Sequence, residues 1–177
     1  MNGEDVLKNE LNNIKFTGER LVINKEVKDQ YGEIMYQHIE RYKFASKFVY
    51  NCKVLDAACG SGYGTKILLE SGAKSVTGVD ISMETINVAK NSYNDVNVYF
   101  TKGDVCDLPF ENDSFDIIVS FETIEHIENG SDWITESSRL LKKGGLFIVS
   151  TPNRDVSNKG KSINDLPENP YHQYEYN

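Results

Sequence analysis

The chain has 177 residues, 39% of them hydrophobic, and a formal net charge of −8. This length supports one domain with a sizeable core, and the lack of any uninterrupted apolar span excludes a membrane helix. The longest basic run is Lys142-Lys143, so nothing can neutralise several phosphates together, which argues against nucleic acid as a partner. Cys52, Cys59 and Cys106 show no paired spacing and no charged-then-apolar leader opens the sequence. The expectation is therefore a cytoplasmic protein without disulfides.

In chain order, residues 1 to about 30 are polar, Gly3, Gly18 and Gly32 punctuate the region, and no period is sustained. Residues 1–33 read as a loosely structured amino-terminal arm. From Ile34 the apolar positions Met35, Ile39, Tyr42, Ala45, Phe48 and Val49 recur at helical spacing, which predicts an amphipathic helix. Five strand-like runs follow at Lys53–Ala57, Ser75–Val79, Val96–Thr101, Phe115–Phe121 and Leu146–Thr151, separated by helical stretches. Such alternation predicts a doubly wound, mostly parallel α/β sheet in a core over residues 34–151, with a tail over residues 152–177. Ser82 is placed to cap the helix running through Lys90, and Ser131 to cap the helix that carries Trp133. Gly144-Gly145 would end that helix before the fifth strand. Right-handed crossovers bring every strand's carboxyl end to one edge, where open α/β sheets bind ligands.

The run VLDAACGSGYG over residues 54–64 leads a hydrophobic strand through Asp56 into glycines at positions 60, 62 and 64. A glycine-rich turn between a buried strand and a helix offers backbone N–H groups to a nucleotide-like ligand. An ordinary strand-to-helix turn shows similar letters. Asp56, four residues before the first glycine, would repel a pyrophosphate and pair with an ammonium group. The dinucleotide fingerprint wants a third glycine where Thr65 stands, so an NAD-binding oxidoreductase is the weaker alternative. Asp80 follows Gly60 by twenty residues, the separation at which nucleotide folds set a carboxylate on ribose hydroxyls. Gly103-Asp104-Val105 then gives an acceptor beside a backbone N–H, which suits an adenine edge.

As a set, over roughly Tyr36 through Tyr176, these motifs resemble those of the class I S-adenosylmethionine-dependent methyltransferases, whose first motif is an acidic residue, three residues, then Gly-x-Gly. The resemblance implies a Rossmann-like fold and methyl transfer from S-adenosylmethionine to an oxygen or nitrogen nucleophile of a small molecule, such as a sugar, glycan precursor or natural product. It implies cofactor contacts from Asp56, Ala58, Gly60, Ser61 and Gly62 in the first turn. Asp80 and Ile81 would follow after the second strand, and Asp104 and Val105 after the third. Phe121 or Tyr63 would offer an aromatic face to the sulfonium. Thr17-Gly18-Glu19-Arg20 and Arg41-Tyr42 resemble segments ahead of the core in one branch of small-molecule methyltransferases, and Arg20 or Arg41 would fork onto the cofactor's carboxylate.

The fourth strand runs FDIIVSFETIEHI, and its end is where members of that family place the reacting methyl group. A helix starting near Thr123 would set Glu122, Glu125 and His126 on one face. His126, with Glu122 beside it, is then the candidate general base. The pattern Glu-x-x-Glu-His also resembles that of metal-dependent 2′-O-methyltransferases of small RNAs and of ubiquinone-pathway O-methyltransferases, in which a later histidine completes the site. That resemblance implies Glu122, Glu125, His126 and His172 as ligands for Mg²⁺ or Mn²⁺. The plain alternative is two glutamates favouring a helix N-terminus, a histidine packed at the sheet edge and an ordinary tail histidine.

Members of the family continue past the fifth strand into a helix and a further pair of strands, whereas nothing follows Asn177. The apolar fifth strand is therefore expected to be covered by the tail after Pro152, by a second copy of the chain or by a partner chain. A truncated or accessory subunit that binds the cofactor without catalysis is the second alternative function.

Overall fold

The computed structural model describes residues 25–162 and 165–176. The segment Thr17-Gly18-Glu19-Arg20, and with it the expected role of Arg20, lies outside the described residues. The described chain opens on a helix, α1 (Lys25–Ala45), so residues 25–33 are helical and the boundary drawn at Ile34 is corrected. A single glycine such as Gly32 costs a helix only about 1 kcal/mol. The polar run before it holds good helix formers, Lys25, Glu26, Lys28 and Gln30, but no apolar stripe that would reveal them.

The elements that follow are β1 (Lys53–Ala57), α2 (Tyr63–Glu70), β2 (Ser75–Asp80), α3 (Met83–Ser92), β3 (Val98–Lys102) and β4 (Phe115–Phe121). A 3₁₀ turn at Ile124–His126 then leads to α4 (Gly130–Leu140), β5 (Leu141–Ser150) and the short α5 (Arg154–Ser157). The strands form one sheet in the order β3-β2-β1-β4-β5, and every pairing is parallel. Winding reverses between β1 and β4, so the loops leaving these two neighbours diverge and open a crevice at their carboxyl ends.

Along the central strands successive residues serve opposite faces. Val54, Val76 and Ile117 join one apolar cluster, whereas Leu55, Val79 and Ile118 join a second. Because helices cover both faces, these strands read as unbroken hydrophobic runs rather than as alternation. Trp133 of α4 is fully buried, and its indole N–H donates to the Ser120 hydroxyl at 3.2 Å.

Ser82 caps α3 as expected, its hydroxyl accepting from the Thr85 N–H. Asn129, not Ser131, stands at the N-cap of α4; Ser131 lies in the first turn and donates to Asn129 Oδ1 at 2.8 Å. Gly144-Gly145 ends no helix. The helix stops at Leu140 and β5 starts at once, with the pairing slipping from Phe115↔Leu141 to Ile117↔Leu146. Residues 142–145 therefore bulge from the ladder, and Gly144 supplies the left-handed backbone (φ 81°) that the bulge needs.

Among the described residues no strand pairs with the outer edge of β5, and Leu146 and Val149 remain 40% and 42% exposed. The tail does not take that edge. It turns instead over the carboxyl ends of the strands, where Tyr176 bridges Asn153. No helix among the described residues is long and apolar enough to cross a membrane.

Candidate active site

A cavity of about 1050 Å³ occupies the crevice, walled by the loops after β1 to β4, by α1 and by the tail. Its size exceeds the roughly 300–1,000 Å³ of a pocket for one drug-sized ligand, so two reactants fit side by side. Ala58 and Gly60 face it from the first turn, and both have positive φ, 61° and 54°. A side chain on Gly60 would meet nothing within 4 Å, which leaves its backbone open to a ligand. Gly64 serves packing instead: a Cβ there would lie 1.9 Å from the Tyr42 ring, so only glycine lets α1 press onto the turn. Ser61 and Gly62, also expected to touch a cofactor, are buried behind the turn and do not face the cavity.

Asp56 corrects the sequence reading. It is 1% exposed and turns from the cavity into the structure, accepting from the Tyr42 hydroxyl at 3.0 Å and from the Thr65 hydroxyl at 2.6 Å. Burial pushes its carboxyl up to about 6, against the opposing pull of those two hydrogen bonds. It is a buttress under the glycine turn, each oxygen engaged by one of these hydroxyls and neither facing the cavity. Thr65, whose side chain breaks the dinucleotide fingerprint, is half of that buttress.

Asp80 does face the cavity, but the chain already uses most of it. Its Oδ2 accepts from the Gly60 N–H at 3.0 Å, and Oδ1 accepts from the Ser82 N–H at 2.8 Å and the Thr85 hydroxyl at 3.1 Å. A carboxylate offers about four lone-pair positions, so room remains for one further donor. Ile81, Asp104 and Val105 line the same side, with Asp104 Oδ1 accepting from the Cys106 N–H at 2.9 Å. The Cys106 thiol is pushed up to about 11 by burial first, then by the Asp104 and Asp132 charges beside it.

At the end of β4, Phe121 and Glu122 line the cavity, but Glu122 does not share a face with Glu125 and His126. Its backbone is left-handed (φ 49°), an arrangement that costs a non-glycine residue about 1–2 kcal/mol. The carboxylate accordingly swings toward β5, accepting from the Ser150 hydroxyl at 2.8 Å and pairing with Arg41 Nη2 at 3.2 Å. Arg41 stands behind Glu122 rather than in the cavity, and its Nη1 is buried with no partner among the described residues.

Glu125 is fully buried, and among the described residues neither carboxylate oxygen has a hydrogen bond of good geometry. Burial, then the Glu122 charge, raises its pKa, while the nearby Thr151 hydroxyl and His126 pull the other way. His126 faces the cavity, and its Nδ1 lies 3.0 Å from the Tyr171 carbonyl. A carbonyl only accepts, so Nδ1 carries the proton and Nε2 is the basic nitrogen. The tail is pinned here by the Gln173 and Tyr174 N–H groups, which donate to the Glu125 carbonyl at 2.7 and 3.2 Å. This brings His172 to His126 with ring centroids 5.0 Å apart, and His172 Nδ1 pairs with Glu175 at 2.5 Å. Potential ligand atoms of Glu125, His126 and His172 lie within 4.8 Å of one another; Glu122, the fourth expected ligand, stands outside this group.

A family model described as a methyltransferase domain matches residues 55–149. The chain belongs to the S-adenosylmethionine-dependent methyltransferase family. A relative from Mycolicibacterium smegmatis named "Probable S-adenosylmethionine-dependent methyltransferase" is 36% identical over 124 residues, covering 70% of this chain and 46% of that protein. A Mycobacterium tuberculosis protein with the same form of name is 30% identical over 167 residues, covering 93% of this chain and 57% of that one. The PH0226 protein of Pyrococcus horikoshii has a similar structure, with a TM-score of 0.68, 30% identity and coverage of 85% of this chain and 70% of that one. The chain thus spans about half the length of the two mycobacterial relatives.

Three features of this methyltransferase-family site escaped the sequence reading. Tyr42 and His38 of α1 both line the cavity, the latter 3.3 Å from the Tyr63 hydroxyl. Their four-residue spacing puts them on one helix face, and that signal was present in the letters. Tyr171 contributes its main-chain carbonyl, which no side-chain motif announces.

Proposed function

We propose that this domain binds S-adenosylmethionine in the cavity and transfers its methyl group to an oxygen or nitrogen nucleophile of a small molecule. One observation carries the reading. The cavity presents Asp80, Asp104, Glu122, Glu128 and Asp132, and among the described residues no Lys or Arg faces it. That set of acceptors suits a cation with a diol and an amine, and it leaves a pyrophosphate without a counter-charge.

Asp80 would accept from the ribose through its remaining lone pair, and Asp104 with Val105 would meet the adenine edge. Ala58, Gly60 and Ile81 would border the adenosyl group, and Phe121 would face the sulfonium. Arg41 stays with Glu122 at 3.2 Å, outside the cavity lining, and would act on the site through that carboxylate. A sulfonium supplies an already activated methyl group, so alignment of the acceptor is the main work of the protein. His126 Nε2 would take the acceptor's proton, with Tyr171 fixing the tautomer and Glu125 favouring the imidazolium. Calorimetric titration should show binding of S-adenosylhomocysteine and none of NAD; the reverse result would establish the oxidoreductase alternative.

A second reading of the same corner rests on Glu125. A buried carboxylate whose two oxygens lack a well-aligned partner among the described residues is costly, and a divalent ion held by Glu125, His126 and His172 would relieve it. Glu175 holds His172 Nδ1 and the Tyr171 carbonyl holds His126 Nδ1, as outer partners of metal ligands do, while Asn169 Nδ2, 2.9 Å from His172 Nε2, would have to yield that nitrogen to the ion. Two nitrogens and one carboxylate suit Mn²⁺ better than Mg²⁺. Equilibrium dialysis of the unloaded protein should then show one bound Mn²⁺ that Glu125→Gln weakens at least about tenfold, in line with the loss of a ligand. No retention of Mn²⁺ by the parent protein would leave His126 as a plain base.

A further inference from the structure

Resting on the methyltransferase reading above, we infer that the methyl acceptor is an amine, bound as its ammonium form, and that carboxylate and phosphate acceptors are rejected. Once the loops after β1 to β3 are assigned to the cofactor, the rest of the cavity is built by α1, the segment after β4 and the tail. Its charged residues are all acidic: Glu122, Glu128 and Asp132. Glu122 is neutralised by Arg41. Glu128 and Asp132 are exposed at the mouth and have no basic partner among the described residues.

Two cations of the neighbouring elements are committed elsewhere. Arg139 on α4 is held by Glu136 at 2.6 Å and by the carbonyls of Leu108 and Phe110. Lys142 is tied to Asp116 on the far side of the sheet edge. Among the described residues an incoming anion would therefore meet two uncompensated carboxylates at the mouth and no Lys or Arg side chain in the lining.

Inside that rim the wall carries no basic side chain of Lys or Arg among the described residues, and the His126 ring faces the cavity. The lining also includes the aromatic rings of Tyr42, Tyr63 and Tyr171 beside uncharged Thr123, Ile127 and Asn129, and aromatic faces attract an ammonium and do nothing for an anion. A net charge of −8 adds long-range attraction of cations toward the mouth.

The transfer balances without a further reactant. The ammonium gives one proton to water or to a base in the wall, and the freed nitrogen lone pair forms a bond to the methyl carbon. The carbon–sulfur bond breaks with its electron pair retained by sulfur, which leaves as a neutral thioether. The N-methyl product then shares its remaining protons with solvent.

The test uses the protein first saturated with S-adenosylhomocysteine, its binding recorded by calorimetry. Matched probes then follow on two skeletons: 3-phenylpropylamine, 3-phenylpropanol and 3-phenylpropanoate, and the octyl amine, alcohol and acid. On at least one skeleton the amine should bind at least tenfold more tightly than the carboxylate, and the preference should shrink several-fold at high salt. The double variant Glu128→Gln with Asp132→Asn should lose most of the preference. A carboxylate that binds as well as the amine, a preference unchanged in the double variant, or no amine binding at millimolar concentration would each overturn the inference while leaving the cofactor assignment standing. Failure of the first titration would remove both.

Discussion

Replacing Asp80 by alanine is expected to lower affinity for S-adenosylhomocysteine by ten- to a hundredfold and to destabilise the protein by about 3 kcal/mol or more. Both effects come from one carboxylate. Three donors, the N–H groups of Gly60 and Ser82 and the hydroxyl of Thr85, converge on it, and it is only 7% exposed. Alanine strands these donors, and each buried group left unpaired costs about 1–3 kcal/mol. The lost ribose contact is a charge-assisted bond of about 1.5–3 kcal/mol, which is one to two decades in affinity. Because Gly60 would also lose its tether, the glycine turn should loosen, so affinity falls further than one contact implies. Urea unfolding and calorimetry on the parent, Asp80→Ala and Asp80→Asn proteins separate the two effects: asparagine keeps one acceptor oxygen and should lie between. Unchanged affinity in Asp80→Ala would remove Asp80 from the cofactor site.

The sheet was legible because its central strands are buried on both faces. Lys53–Ala57 and Phe115–Phe121 appear in the structure with the ends read from the sequence. The misjudged ends share a cause, local letters overruled by pairing. Gly144-Gly145 looks like a helix stop, yet β4 recruits Leu141 into the ladder before the bulge. Val96 looks like a strand residue, yet β3 starts at Val98 where it first faces Val76. Helix α1 was shortened because its first turns carry no apolar stripe, only residues of good intrinsic propensity.

The site was legible where a residue type and its spacing imply one direction in space. Asp80 and Asp104 fall at strand ends, so their place at the cavity followed from topology. Glu122 did not, since a shared helical face assumed helical backbone at a position that adopts φ 49°. Asp56 misled for a different reason. Its place at the end of β1 was right, but side chains alternate across a strand, and its turn carries it toward Tyr42 and Thr65. Tyr42 comes from a helix outside the motif, so no reading of the glycine run alone could anticipate what occupies that carboxylate.

The second large effect concerns Asp56 and pH. In the unfolded chain this carboxyl titrates near 3.9, and in the folded protein burial holds it at about 6. The folded state therefore binds the proton more tightly, and between these values it carries a proton that the unfolded chain has released. Stability contributed by the protonated carboxyl is fully present below about pH 3.9 and is lost as pH rises through about 6, in total about 3 kcal/mol. Asp56→Asn keeps an acceptor for the Tyr42 hydroxyl and places an amide donor beside Thr65, without a buried charge. The variant should gain up to about 3 kcal/mol over the parent protein at pH 7 and little at pH 4. Denaturant midpoints measured from pH 4 to pH 8 should show the two proteins diverging between pH 4 and 6 and running parallel above. Because Asp56 does not face the cavity, affinity for S-adenosylhomocysteine should change by less than about tenfold, well short of the loss of a direct charge-assisted contact. A larger loss would return Asp56 to the role of ammonium partner, and a constant gap in stability at all pH values would show that its carboxyl is not held in the dry interior between Tyr42 and Thr65.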